Sequence, residues 1–200
     1  MRGKLIVIEG LDGSGKDTQV YRLSQFLKSN GQRVEVLKYP DIEKPIGGVI
    51  NRFLEKDHEL SAETQFILFA TDMLKDREKI ISWLNEGATV LLSRYVTSTM
   101  AYQVAQGFPM EKGMGFVKLF DFLQPDNIIY IKISAATSVK RKINQKAELD
   151  RFESQEALQE RVAQQYNKMI EDSVLGKWTV VDGEQSQEDV FRQVKVGLDI

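Results

Sequence analysis

The sequence predicts an α/β fold in which a doubly wound, five-stranded parallel sheet carries helices on both faces. Three observations support this. Short, continuous, β-branched apolar runs recur along the chain, each followed by a helical pattern. A glycine-rich segment, Gly10-Leu11-Asp12-Gly13-Ser14-Gly15-Lys16-Asp17-Thr18, joins the first apolar run to the first helical pattern. With 200 residues, 42% hydrophobic and 28% charged, the chain is sized for one well-cored domain, expected to span 1–200.

The run at 5–8 is the first strand. Residues 17–30 set Val20, Leu23, Phe26 and Leu27 at helical spacing and stop at Gly31, a C-cap signal. The weaker, alternating run at 33–37 is a strand. Ser61 opens a long helix through Trp83 and Leu84, closed by Gly87, with Ser61 and Thr64 as a partial capping box. Runs at 89–92, 128–133 and 179–181 supply the other strands, and helices are expected near 114–123, 135–146, 155–172 and 187–198. Strands alternating with helices imply right-handed βαβ crossovers, with ligands beyond the carboxyl ends of the strands.

A net charge of −2 carries no polyelectrolyte signal, so nucleic acid is disfavoured as a partner and phosphate binding must come from locally placed Lys and Arg. The absence of cysteine excludes disulfides, thiolate metal sites and a Cys nucleophile, and fits a cytoplasmic setting. No apolar run reaches membrane-spanning length, and Met1-Arg2-Gly3-Lys4 enters a strand at once, with no room for a signal peptide.

The glycine-rich segment lies between a buried strand and a helix start, the context a phosphate-binding loop requires. Gly13 and Gly15 leave backbone N–H groups free to converge on a phosphate, and the helix dipole adds positive potential there. Lys16 supplies a mobile ammonium for the β- and γ-phosphates. The pattern asks for a hydroxyl directly after the lysine; here Asp17 stands in that place and Thr18 comes one residue late. No acidic residue closes the run at 89–92, which ends Ser93-Arg94-Tyr95 and so argues against GTPases and motor ATPases.

Several motifs in order make the chain similar to the thymidylate kinases, a family of P-loop nucleoside-monophosphate kinases, over nearly its whole length. Gly-Leu-Asp-Gly-Ser-Gly-Lys resembles that family's phosphate loop, and Ser93-Arg94-Tyr95 falls where it carries Asp-Arg-Tyr or Asp-Arg-His. Ser98-Thr99-Met100-Ala101-Tyr102-Gln103, Gln124-Pro125-Asp126, Asp150-Arg151-Phe152-Glu153 and Tyr166 also align. The resemblance implies a P-loop kinase fold with a short lid at about 141–153. It implies Mg-ATP-dependent transfer of the γ-phosphoryl group to dTMP, giving dTDP for dTTP synthesis. It places ATP on residues 10–18, with Lys16 on the β/γ-phosphates. It has Arg94 hold the acceptor phosphate, Asp12 the sugar, Phe69 stack on the base, and Tyr102 crowd the sugar 2′ position. Tyr39, Met73 and Gln103 fall in the same acceptor pocket.

Lys140, Arg141, Lys142, Lys146 and Arg151 form a basic run across the lid segment. Gly13 occupies the place of an arginine that one branch of the family carries in its loop, so Arg141 and Arg151 become the candidate catalytic arginines, Arg151 alternatively fixing the lid base. Asp182-Gly183 is expected to wall the adenine. The apolar face of the helix at 61–84, with Phe66, Phe69, Ile80 and Ile81, exceeds what one sheet needs and points to a homodimer. His58 is read as a solvent residue, and Trp83 and Trp178 as packing.

Three departures matter. Asp17 replaces the loop hydroxyl while Ser93 replaces the acid of Asp-Arg-Tyr, a paired exchange that keeps a carboxylate and a hydroxyl for one Mg²⁺. Met73 stands where the family places an arginine against the base, and Arg77 substitutes only if the helix is rotated. Tyr39-Pro40-Asp41-Ile42 ends in Ile42 where a second acceptor-phosphate arginine belongs, leaving Lys38 or Lys44 to compensate. Two alternatives follow: a kinase for another deoxynucleoside or its monophosphate, or a nucleotide-binding regulator with a degenerate metal site.

Overall fold

The computed structural model describes residues 2–145, 149–153 and 155–200. Lys146 of the lid run therefore lies outside the described residues. Five strands, β1 (Leu5–Gly10), β2 (Val34–Lys38), β3 (Thr89–Ser93), β4 (Asn127–Lys132) and β5 (Trp178–Asp182), form one sheet in the order β2-β3-β1-β4-β5. Every pairing is parallel. The strands alternate their side chains between two cores. Leu5, Val7, Val90, Leu92, Ile128 and Tyr130 join one, and Ile6, Ile8, Leu91, Ile129, Ile131 and Val181 the other. Burial on both faces is why β1 reads as continuous apolar sequence rather than as alternation.

The second core is closed by α1 (Lys16–Ser29) and α9 (Gln187–Gly197). The first is covered by α3 (Ala62–Leu74), α4 (Arg77–Asn85), α5 (Val96–Val104) and α8 (Glu156–Glu171). Helices α2 (Pro45–Leu54), α6 (Met110–Leu119) and α7 (Ala135–Ile143) complete the described elements. Strand β1 is central, with β3 on one side and β4 on the other, so the loop after β1 opens at the switch point of the sheet.

Four expectations need correction. The single helix expected at 61–84 breaks at Lys75 and Asp76 into α3 and α4. There Lys75 pairs with Asp72 at 2.8 Å and Asp76 at 2.9 Å, and the Tyr39 hydroxyl donates to Asp76 at 3.1 Å. That cluster pins the segment after β2 onto the end of α3 and turns the chain. Helices α2 and α5 were not expected. Pro45 opens α2, but Gly47 and Gly48 mask its pattern. Gly47 is required because a Cβ there would lie 1.9 Å from the Asp41 carbonyl oxygen. The valine, threonine and serine content of α5 has low helix propensity, and tertiary burial overrides it. Helix α6 begins at Met110, four residues before the expected start at 114, because Pro109 supplies its N-cap. Finally, the face thought surplus on 61–84 is not free: Phe66 and Ile80 are buried in the core. The Ser61 cap is present, its hydroxyl accepting from the Thr64 N–H at 3.1 Å.

Candidate active site

The loop between β1 and α1 is built from backbone conformation. Gly13 and Gly15 have φ of 72° and 91°, the left-handed region that glycine enters without strain. Gly15 is the N-cap of α1 and no side chain caps it, so the first N–H groups of the helix remain available to an anion. The Lys16 ammonium rests on the Leu11 carbonyl at 3.3 Å and lies 3.7 Å from the Asp12 carboxylate. Burial and then Arg94 lower its pKa to about 8, against the opposing pull of Asp12 and Asp17. Incoming phosphate charge would restore the ammonium.

Helix α7 closes over this loop. The Ser138 hydroxyl donates to the Asp12 carbonyl at 2.6 Å, and Arg141 donates to the carbonyls of Gly13 at 3.3 Å and Gly183 at 3.0 Å. A Cβ on Gly13 would meet the Ser138 carbonyl oxygen at 3.1 Å and the Arg141 Cβ at 3.2 Å. A side chain at position 13 would crowd α7, which would have to give by a few tenths of an ångström, and φ of 72° there disfavours it further. Arg151 is held elsewhere. It donates to Phe53 and His58 carbonyls at 3.0 Å each, pairs with Glu59, and lies over the Phe53 ring. Of the two candidate lid arginines, the structure brings only Arg141 to the loop.

At the far side of the loop, Arg94 follows β3 with a left-handed φ of 69°, a strained conformation for a residue with a Cβ. Its guanidinium donates to Asp12 at 2.6 Å, to the Ser98 hydroxyl at 3.0 Å and to the Gly10 carbonyl at 3.3 Å. The Tyr102 hydroxyl donates to the other Asp12 oxygen at 2.8 Å. Burial disfavours the Asp12 charge, but Arg94 and Lys16 outweigh it and hold the carboxyl well below the usual range.

Glu9 was not singled out from the sequence, and it organises this corner. Fully buried, its carboxylate accepts from the Tyr95 N–H at 3.0 Å and the Ser98 N–H at 3.2 Å, the orphan donors at the start of α5. The hydroxyls of Thr97, Ser98 and Tyr166 donate to it as well. Helix α5, which has no side-chain cap of its own, is thus capped by the end of β1. The apolar character of residues 5–8 gave no sign of an acid one position further with this task.

Asp17 and Ser93 meet as the paired substitution anticipates. The Ser93 hydroxyl donates to Asp17 Oδ1 at 2.5 Å, and Lys38 donates to Oδ2 at 2.8 Å. Burial works against the charge, but Lys16 with the Lys38 and Ser93 hydrogen bonds brings Asp17 down to about 2. The Asp17–Lys38 pair is half exposed, so it is weak and open to displacement by a divalent cation. Two adjacent hard oxygen donors beside a phosphate loop fit Mg²⁺, which keeps its remaining positions for water and phosphate. Among the described residues no cluster of three or more acidic or His side chains could hold a metal.

These groups open on one cavity of about 280 Å³. Its lining combines the charged groups Asp12, Lys16, Asp17, Lys38 and Arg94 with the apolar and aromatic side chains of Tyr39, Phe69, Met73, Tyr102 and Phe152, together with Thr99 and Gln103. Lys142 and Glu153 also line it, paired at 2.7 Å. Lys142 had been counted only within the basic run. Asp150-Arg151-Phe152-Glu153 is a turn closed on itself, Asp150 accepting from the Phe152 and Glu153 N–H groups at 2.9 Å each. Arg77 does not reach this cavity; it donates to the Asp121 carbonyl at 3.0 Å and pairs with Glu78. Thr18, within the first turn of α1, is not among the residues that line the cavity, and Lys44 and Ile42 are exposed. No helix among the described residues is long and apolar enough to cross a membrane.

Comparison with known proteins agrees with this geometry. The family model described as thymidylate kinase matches residues 8–194. The chain is 32% identical over 202 residues to a thymidylate kinase of Thermoanaerobacter sp., covering 97% of this chain and 96% of that one. It is 30% identical over 196 residues to a thymidylate kinase of Arabidopsis thaliana, covering 97% of this chain and 70% of that one. Among solved structures, the thymidylate kinase from Candida albicans superposes with a TM-score of 0.80 at 26% identity, covering 99% of this chain and 92% of that one. With the phosphate loop, the sheet order and the match over almost the full length in agreement, the chain belongs to the thymidylate kinase family.

Proposed function

We propose that this protein transfers the γ-phosphoryl group of Mg-ATP to the 5′-phosphate of dTMP, yielding ADP and dTDP. The observation that carries the reading is one cavity whose lining combines phosphate-loop residues, the largely buried Arg94 guanidinium and a group of aromatic side chains. Phosphoryl transfer asks the protein mainly for positioning and charge neutralisation. Lys16 and the loop N–H groups hold the donor phosphates. Arg94, steered by Asp12 and Ser98, holds the acceptor phosphate bidentately. Asp12 also faces the sugar, Tyr102 crowds its 2′ position, and Phe69 stacks on the base. Asp17 and Ser93 would hold Mg²⁺, which would supply charge neutralisation to the phosphates. Arg141 is the lid arginine that reaches the phosphates, and Arg151 fixes the lid base. Closure of the lid helix α7 over the loop would exclude water from them.

We assign the protein to the cytoplasm and to a homodimer. The apolar groove of α2 and α3, where Ile67 is 48% exposed beside Ile46 and Val49, is the face offered to the second copy. Ile67→Asp is expected to sediment as a monomer.

The function is tested by ADP formation from Mg-ATP against a panel of nucleosides and monophosphates. Turnover with dTMP at least about tenfold above dUMP, dCMP and thymidine is the expected result; ATP binding without turnover of any acceptor refutes it. The metal assignment has its own test. Asp17→Thr and Ser93→Asp are each expected to lower the Mg²⁺-dependent rate by about 10²-fold, and the double variant to recover most of it. Additive losses would show that the two positions do not share a cation.

A further inference from the structure

We infer that Gln65, outside the cavity, decides which base the cavity accepts, by fixing the polarity of the Gln103 amide. This rests on the kinase reading above. Gln65 Nε2 donates to the Leu60 carbonyl at 2.8 Å. A carbonyl only accepts, so Gln65 must turn its oxygen towards α5. That oxygen receives Gln103 Nε2 at 3.1 Å and Gln106 Nε2 at 3.2 Å. Gln106 is oriented independently, its nitrogen also donating to the Tyr102 carbonyl at 3.0 Å. The relay is anchored on backbone carbonyls at both ends. Reversing any one amide would set oxygen against oxygen or nitrogen against nitrogen.

The consequence falls on Gln103, which is 1% exposed and lines the cavity. Its nitrogen is committed to Gln65, and its Oε1 is buried without any hydrogen-bond partner. A buried acceptor left unmet costs about 1–3 kcal/mol, so it favours a ligand that brings a donor. The Thr99 hydroxyl, also buried without a partner and lining the cavity, can donate or accept. Met73, which lines the cavity, brings no cation to it, and Arg77 is bound to Asp121 and Glu78. The ring edge is therefore read by a fixed acceptor. Thymine and uracil present an imino N3–H to it, with a neighbouring carbonyl for Thr99. Cytosine presents a lone pair at N3 and meets oxygen with a lone pair. Gln65 is thus the positioning residue for the acceptor that reads the imino N–H.

The test is calorimetric binding of dTMP, dUMP and dCMP to the protein and to two variants, with turnover measured alongside. The unaltered protein is expected to bind dTMP and dUMP at least about 10²-fold more tightly than dCMP. In Gln65→Met the Gln103 amide is free to rotate, and the dTMP:dCMP ratio is expected to fall at least about tenfold, chiefly through tighter dCMP binding. Gln65→Glu, when protonated at the oxygen facing the Leu60 carbonyl, keeps that bond and still accepts from Gln103 and Gln106, so it is expected to keep the preference at low pH, which a merely structural role would not predict. Equal binding of dCMP and dTMP by the unaltered protein, or an unchanged ratio in a folded Gln65→Met, overturns the inference. Preserved binding preference without ADP formation would refute the kinase reading and leave this one standing; failure of every nucleotide to bind refutes both.

Discussion

Arg94→Lys is expected to lower kcat/KM for the acceptor by about 10³-fold while the protein stays folded. The guanidinium is locked in place by Asp12 at 2.6 Å, Ser98 at 3.0 Å and the Gly10 carbonyl at 3.3 Å, and it lies over the Tyr102 ring at 5.3 Å. A planar fork held this way offers a second edge to a phosphate at fixed angle. The lysine ammonium is a compact point charge on a flexible stem, and it can satisfy Asp12 or the phosphate but not both in one geometry. Burial works against the Arg94 charge, but Asp12 outweighs it, Glu9 adding to the pull, so the side chain stays a cation throughout the working pH range. Most of the loss should appear in kcat, because in-line geometry matters more in the transition state than in the ground state. A fall of less than about tenfold, or one confined to KM, would show that Arg94 only recruits the acceptor.

Glu9→Leu should produce the largest loss of stability in the site, about 3–5 kcal/mol in urea denaturation. The substitution removes an acceptor shared by the Tyr95 and Ser98 N–H groups and three hydroxyls, all buried; of these, the Ser98 N–H keeps its bond to the Tyr95 carbonyl at 2.8 Å. Tyr166→Phe removes only one of those donors and leaves the carboxylate with the rest, so it is expected to cost about 1 kcal/mol. Near-equal losses for the two variants would mean that the network is not centred on Glu9. The same change should slow turnover in whatever fraction remains folded, because Glu9 holds the N-terminus of α5, and α5 carries Ser98 and Tyr102.

The phosphate loop was legible because its chemistry is local. A strand, three glycines with a lysine and a helix start are contiguous, and the φ of 72° at Gly13 and of 91° at Gly15 follow from the loop's own turn. The exchange between Asp17 and Ser93 could be foreseen only as two letters out of place. Their contact depends on β1 pairing with β3 in the register that sets Ile8 beside Ser93. Arg151 shows the opposite outcome. Its motif was visible, but the direction of its side chain depends on α2, whose glycines hid it as a helix. Glu9 and Gln65 gave no signal at all. A buried acid and a buried amide have no periodicity of their own, and their nearest side-chain partners on α5, Thr97 and Gln103, lie 88 and 38 residues away.

The sequence by itself determined the parallel sheet, the phosphate loop and the nucleotide chemistry, because apolar periodicity and glycine conformation act over a few neighbouring residues. Only the tertiary structure decided which arginine reaches the phosphate loop, what caps α5, and which end of the Gln103 amide is taken by Gln65. Those outcomes depend on hydrogen-bond polarity between elements distant in sequence. No local pattern encodes that polarity; it is set once the sheet has brought β1, α3 and α5 together.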